Sequence, residues 1–145
     1  QAIASDAIPV VKLDGGTARI IAGDLGGTRG PARTFSPVNL WDVHLDADAD
    51  VTLDLPAGHN SMIAVLAGHV TIGGEAAGEA EIVRLSQDGE GIAIHADGDS
   101  MLLVMTGEPI DEPVVGHGPF VMNSDVEIRQ AITDFNSGQF GQMAP

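Results

Sequence analysis

The sequence predicts an all-β domain, a sandwich or barrel of short strands, closed by a single C-terminal α-helix. From Val10 to Met105 the chain repeats five to eight residues rich in Val, Ile, Leu and Thr, then a Gly, Asp or Pro turn, the spacing of a two-sheet fold. Period-two alternation gives several of these runs two distinct faces. Val51, Leu53 and Leu55 oppose Thr52 and Asp54, while Trp41, Val43 and Leu45 oppose Leu40, Asp42 and His44. The period then changes once, beyond Ser124, to that of an amphipathic helix.

In chain order, strands are expected at Val10–Leu13, Ala18–Ala22, Val38–Leu45, Val51–Leu55 and Ser61–Ala67, then at His69–Gly73, Ala80–Leu85, Gly91–His95 and Ser100–Thr106. Between the second and third, Gly23 to Pro37 reads as one long loop and, with Arg29 and Arg33, the most basic spot in the chain. "MIAVLA" (Met62 to Ala67) and "MLLVM" (Met101 to Met105) are apolar without a break, which suits strands covered on both faces, as where two sheets or two domains meet. The helix is expected over 124–136. Ser124 can cap it, Glu127 occupies the capping-box position and Asp125 complements the positive end of the dipole. Ile128, Ala131, Ile132 and Phe135 then form one apolar stripe, with Gly138 as terminator. An isolated helix of this length is marginal in water, so the stripe must dock on its own barrel or on another domain.

At 145 residues the chain suits one core. It is 43% hydrophobic but 3% aromatic, so that core must be built from branched aliphatic side chains. No cysteine is present, which excludes disulfides, thiolate metal ligands and a cysteine nucleophile. A net charge of −15 repels nucleic-acid phosphates and anionic membranes. No apolar run approaches the roughly 20 residues of a membrane span, and "QAIASDAIPVV" lacks the basic and long apolar regions of a signal peptide. The reading is a soluble, cytoplasmic protein with no nucleic-acid or membrane partner. The chain opens on Gln1 rather than Met, which leaves room for sequence upstream.

Three stretches, "GPARTFSPVNLWDVHL", "LPAGHNSMIAVLAGHVTIGG" and "GEPIDEPVVGHGPFVMNSDVEIRQAITDFNSGQFG", resemble the C-terminal half of the pirin family, from about Ile8 to Gly141. Pirins are bicupins, with two β-barrels in one chain. The resemblance implies a cupin double-stranded β-helix, a jelly-roll-like barrel, over 8–118. Residues 1–7 would be a tail or interdomain linker, and 119–145 an extension carrying the helix. It also implies Fe(II) in the family's N-terminal barrel, held by a His-x-His and a later His-x-Glu pair. Some members are attributed quercetin 2,3-dioxygenase activity, and the animal ones a nuclear transcription-cofactor role.

Such an iron site needs imidazoles and a carboxylate, with positions open to oxygen or substrate. Laid on the family's pattern at the "VLAG" turn, this chain places Asp54 and Pro56 at the His-x-His positions, and Leu102 and Val104 near the His-x-Glu. Its five histidines are scattered. His95 with Asp97 is the foremost remaining metal candidate, although the "DGD" beside it reads as a hairpin turn. No G-x-S-x-G, P-loop or dinucleotide fingerprint is present. The acidic "DADAD" run (Asp46 to Asp50) reads as a solvated strand edge.

The expectation is therefore a metal-free C-terminal barrel without catalytic residues or a cofactor of its own. It would act as a structural and interface module on the N-terminal barrel of the same protein or on a second subunit, with a homo-oligomer as a further possibility. Ile128, Ala131, Ile132 and Phe135 would form the interface helix. One alternative is part of a quercetin 2,3-dioxygenase whose catalytic half lies upstream. Another is a small-molecule pocket near His59 and Asn60.

Overall fold

Alternating runs fold as strands because one face of each must leave water while its backbone stays hydrogen-bonded. The structure, a computed structural model, describes residues 1–141. After a 3₁₀ turn (Ser5–Ala7) come β1 (Val10–Leu13), β2 (Gly16–Ala22), β3 (Asp24–Leu25), β4 (Thr28–Arg29), β5 (Val38–Leu45), β6 (Asp50–Asp54) and β7 (Asn60–Ala67). They are followed by β8 (His69–Ile72), β9 (Glu75–Gly78), β10 (Ile82–Arg84), β11 (Gly91–Ala96), β12 (Ser100–Gly107), β13 (Val115–His117), β14 (Phe120–Met122) and α1 (Asp125–Asn136). A six-stranded antiparallel sheet runs in the order β1-β2-β5-β12-β7-β10, and a four-stranded one in the order β6-β11-β8-β9. These sheets enclose one continuous apolar core.

The core is layered by cross-strand register. Val104 stands opposite Trp41 on one side and Ile63 on the other, and Leu102 opposite Val43 and Val65. All six are essentially inaccessible. The four-stranded sheet contributes Leu53, Val70, Ile72 and Ile94 to the same core. Trp41 is its largest fully buried side chain, and its indole Nε1 has no hydrogen-bond partner among the described residues.

Every expected strand is present, and five further strands were not foreseen. The Gly23–Pro37 loop contains the hairpin β3–β4, and "EAAG" forms β9, although Ala and Gly carry little strand preference. The hairpin β13–β14 lies between the barrel strands and the helix. The unbroken apolar runs also differ from expectation. In β7 and β12, Ile63, Val65, Leu102 and Val104 point inward, but Met62, Leu66 and Met101 are 40, 47 and 39% exposed. These strands are thus covered on one face only in the described chain.

The chain forms two compact units, Gln1–Pro109 and Ile110–Pro145. The barrel had been expected to run to residue 118. In the second unit α1 packs on β13 and β14. Ser124 Oγ accepts the Glu127 amide at 3.3 Å and donates to Glu127 Oε2 at 2.9 Å. That carboxylate also accepts the Asn123 amide at 3.2 Å, one residue earlier than in a standard capping box. Gly138, at φ +77°, ends the helix as expected. Phe120, Phe135 and Phe140 make a triangle of ring contacts, each pair 6.0–6.1 Å between centroids, the edge-on and tilted geometry aromatic rings favour.

Candidate functional site

At one end of the barrel the hydrocarbon core gives way to a polar ring. Cross-strand pairing aligns Asn39 of β5, Thr106 of β12 and Ser61 of β7, and all three are buried, the layer next to Trp41, Val104 and Ile63. Asn39 Nδ2 donates to Thr106 Oγ1 at 3.0 Å, and Asn39 Oδ1 accepts the Asp24 amide at 3.0 Å. His59, in the turn before β7, brings Nδ1 to 3.2 Å from Thr106 Oγ1. That hydroxyl accepts from Asn39 and keeps one proton and one lone pair, so it can pair with His59 Nδ1 in either tautomer of the imidazole.

Gly23 makes this arrangement possible. It sits at φ +77°, and a Cβ there would collide with the Asn39 side chain and the Val38 carbonyl. We expect Gly23→Ala to lower unfolding free energy by about 2 kcal/mol, from backbone strain and displacement of Asn39. Chemical denaturation checks this, and a change below about 0.5 kcal/mol would show that the Asn39 contact does not constrain the turn.

His59 and Ser61 border a cavity of about 380 Å³ between the sheets. His59 also borders a wider groove of about 950 Å³ beside the Gly23–Pro37 segment, where Arg29, Arg33 and the fully exposed Phe35 stand. Asn60, paired with His59 in the sequence reading, belongs elsewhere: its Oδ1 accepts from Gln87 Nε2 at 2.9 Å outside the ring. His59 pairs with a threonine hydroxyl and no carboxylate, so the ring lacks the acid that orients a catalytic imidazole.

The other histidines do not converge. His95 Nδ1 is 2.9 Å from Asp50 and its Nε2 3.7 Å from Asp97. The two carboxylates therefore flank opposite edges of the imidazole and do not share one point with it. His44 Nε2 bonds Asp42, which also pairs with Arg19, on the outer face of the six-stranded sheet. His69 and His117 begin and end short strands and are exposed. Among the described residues no three His, Asp or Glu side chains are grouped to hold a metal ion.

The fit to iron fails at the barrel's inner wall as well. Asp54 and Pro56, laid at the ligand positions by the sequence, are both exposed, because β6 turns Val51 and Leu53 inward and Leu55 follows in the same phase. The inner residues beside these positions are Leu53 and Leu55, and those laid near the His-x-Glu are Leu102 and Val104, all hydrocarbon. The donor set does not fit a non-haem iron centre.

A small antiparallel two-sheet barrel with an apolar interior and a polar mouth defines a cupin. The chain belongs to the pirin family, matching the Pirin C-terminal cupin domain over residues 40–141. It is 47% identical over 125 residues to a Pseudomonas aeruginosa protein named "Putative quercetin 2,3-dioxygenase PA2418", covering 86% of this chain and 44% of that one. Mouse (Mus musculus) pirin is 36% identical over 146 residues, covering 97% of this chain and 50% of pirin. The crystal structure of a quercetin 2,3-dioxygenase from Acinetobacter baumannii superposes with a TM-score of 0.89 at 41% identity, covering 99% of this chain and 51% of that one. The chain spans about half the length of the relatives it matches.

Proposed function

We propose that this chain is the metal-free C-terminal barrel of a two-barrel pirin, a structural module that packs on a metal-bearing N-terminal barrel. The carrying observation is the outer face of the six-stranded sheet. Cross-strand register sets Ile82, Ala64 and Leu103 in one row, which continues to Asp42, and Met62, Met105 and Leu40 in the next, which begins at Arg84, with Leu66 and Met101 beyond. Ile82 is 63% exposed, and Met62, Leu66 and Met101 are also exposed. An apolar patch bordered by charged residues marks an interaction surface, and flexible methionines suit it to a partner. Relatives about twice as long supply the candidate for that partner, a second barrel in the same chain.

The helix contributes less to such an interface than its apolar stripe suggests. Ile128 and Ala131 are already buried, Ile132 is half-buried, and Phe135 remains exposed. A partner would therefore meet Phe135 and the neighbouring Phe140.

Alone in solution, the chain is expected to self-associate through the bare sheet face. Met101→Glu should raise the dissociation constant by about 100-fold or more, since burying an unpaired carboxylate costs several kcal/mol. Light scattering on the eluting protein reads this. A wild-type chain that stays monomeric at high micromolar concentration removes the support for a docking face. Metal analysis after exposure to Fe(II) tests the other half of the proposal, which stoichiometric iron on this chain would overturn.

The names of the relatives favour a second reading for the whole protein. It is a quercetin 2,3-dioxygenase whose chemistry resides in the half this chain does not span. Quercetin turnover by the two-barrel protein and none by this chain is the expected pattern.

A further inference from the structure

We propose that the groove beside residues 23–37 is an interface for a second copy of this chain, whose extended stretch 108–114 lies in it. The groove, about 950 Å³, is bordered by Arg29, Arg33 and Phe35. Phe35 is 113% exposed, its ring wholly in water. Neither guanidinium forms an ion pair among the described residues, although the chain has 21 acidic side chains against six basic ones. Among the described residues Asp24 is the one carboxylate on the border, and its Oδ1 already accepts the Gly27 amide at 2.9 Å. The basic segment is braced before any partner arrives. The amides of Gly30, Ala32 and Arg33 donate to the Gly23 carbonyl at 2.9 Å, the Ile21 carbonyl at 3.0 Å and Gln1 Oε1 at 3.1 Å. A basic, aromatic surface held this way loses little freedom on binding.

The stretch 108–114, "EPIDEPV", has the complementary chemistry. All its residues are exposed, and it forms neither helix nor strand. Glu108, Asp111 and Glu112 make no ion pair among the described residues, and Ile110 and Val114 are 70 and 78% exposed. Pro109 and Pro113 hold the backbone to extended, polyproline-like conformations. Such segments dock on aromatic-lined grooves at small entropic cost. Ile110 matches Phe35, and Asp111 and Glu112 match the two arginines. Groove and acidic stretch meet at one end of the barrel, since the Glu108 amide donates to the Pro37 carbonyl at 3.0 Å. A two-fold axis therefore lets each copy offer a groove and fill the other's, the self-complementary pattern of a symmetric dimer. The net charge of −15 opposes approach, but physiological salt screens that repulsion beyond about 8 Å, whereas the facing pairs act at contact. This interface is separate from the outer sheet face.

The test is an amide-resolved NMR titration of the whole chain with a synthetic peptide of residues 107–115, "GEPIDEPVV", blocked at both ends. It should shift the Arg33, Thr34 and Phe35 amides saturably. A peptide carrying Asp111→Lys and Glu112→Lys should bind at least about tenfold more weakly, because like charges then face each other. Net charge alone predicts the opposite, since a basic peptide is drawn to so acidic a chain. Ile110→Ala in the peptide should cost about 3–10-fold. In the chain, Arg29→Glu with Arg33→Glu should weaken the original peptide at least about tenfold, whereas Lys12→Glu with Arg84→Glu, an equal change of charge on other strands, should leave it within about twofold. Without peptide, the same three amides should shift with rising concentration of the Met101→Glu chain, which disables the outer sheet face and so lets either interface fail alone. No saturable shift, tighter binding of the lysine peptide, or equal losses in both chain variants would overturn the proposal. So would amides that respond to peptide but not to chain concentration.

Discussion

Trp41→Ala is expected to lower unfolding free energy by about 3–5 kcal/mol, the loss that follows removal of a large aromatic from a close-packed core. Trp41 is 1% exposed and faces Ile20 across β2 and Val104 across β12, at the centre of the six-stranded sheet. None of these strands can close the void without breaking register with both neighbours. In a domain of this size the melting temperature should fall by roughly 10 °C or more. Trp41→Phe should cost much less than the alanine variant, since the ring still fills most of the site and the unpaired indole N–H is gone. Far-ultraviolet circular dichroism reads both variants without the lone tryptophan. A loss below about 1 kcal/mol for Trp41→Ala would contradict the inward face of β5.

The second large effect is expected at the polar ring. Thr106→Val keeps the shape of the side chain but deprives Asn39 Nδ2 of its acceptor and His59 Nδ1 of its partner. Leaving a buried amide unpaired costs about 1–3 kcal/mol, and a freed imidazole loses the contact that orients it. Denaturation reads the first effect, and His59 ring signals in nitrogen-15 NMR read the second. Thr106→Ser should restore most of both. If Thr106→Val matches the wild type in stability and in its His59 signals, the hydroxyl does not organise the mouth.

The stretches "NLWDVHL" and "DVTLDL" by themselves determined two strands and which side of each is buried, because side chains alternate with period two whatever the strand pairs with. Ser124, Glu127 and Gly138 likewise marked both ends of α1, since capping is a local hydrogen-bond exchange. The sequence laid the family's ligand positions on Asp54 and Pro56, whereas the pleat makes Leu53 and Leu55 the inner residues there. The polar ring went unseen apart from His59. Asn39 and Thr106 are 67 residues apart and meet only across a strand pair. A sign of it was present, since Asn39, Ser61 and Thr106 each continue an inward apolar series with a polar residue.

Unbroken apolar runs in β7 and β12 did not reveal which face is bare. A side chain's parity tells which neighbours it shares a face with, whereas only the pairing of strands and sheets decides whether anything covers that face. Whether a polar atom at the end of a strand is satisfied is likewise a property of the assembled sheet. The element types were therefore written locally, and the mouth and the bare face emerged from contacts distant in sequence.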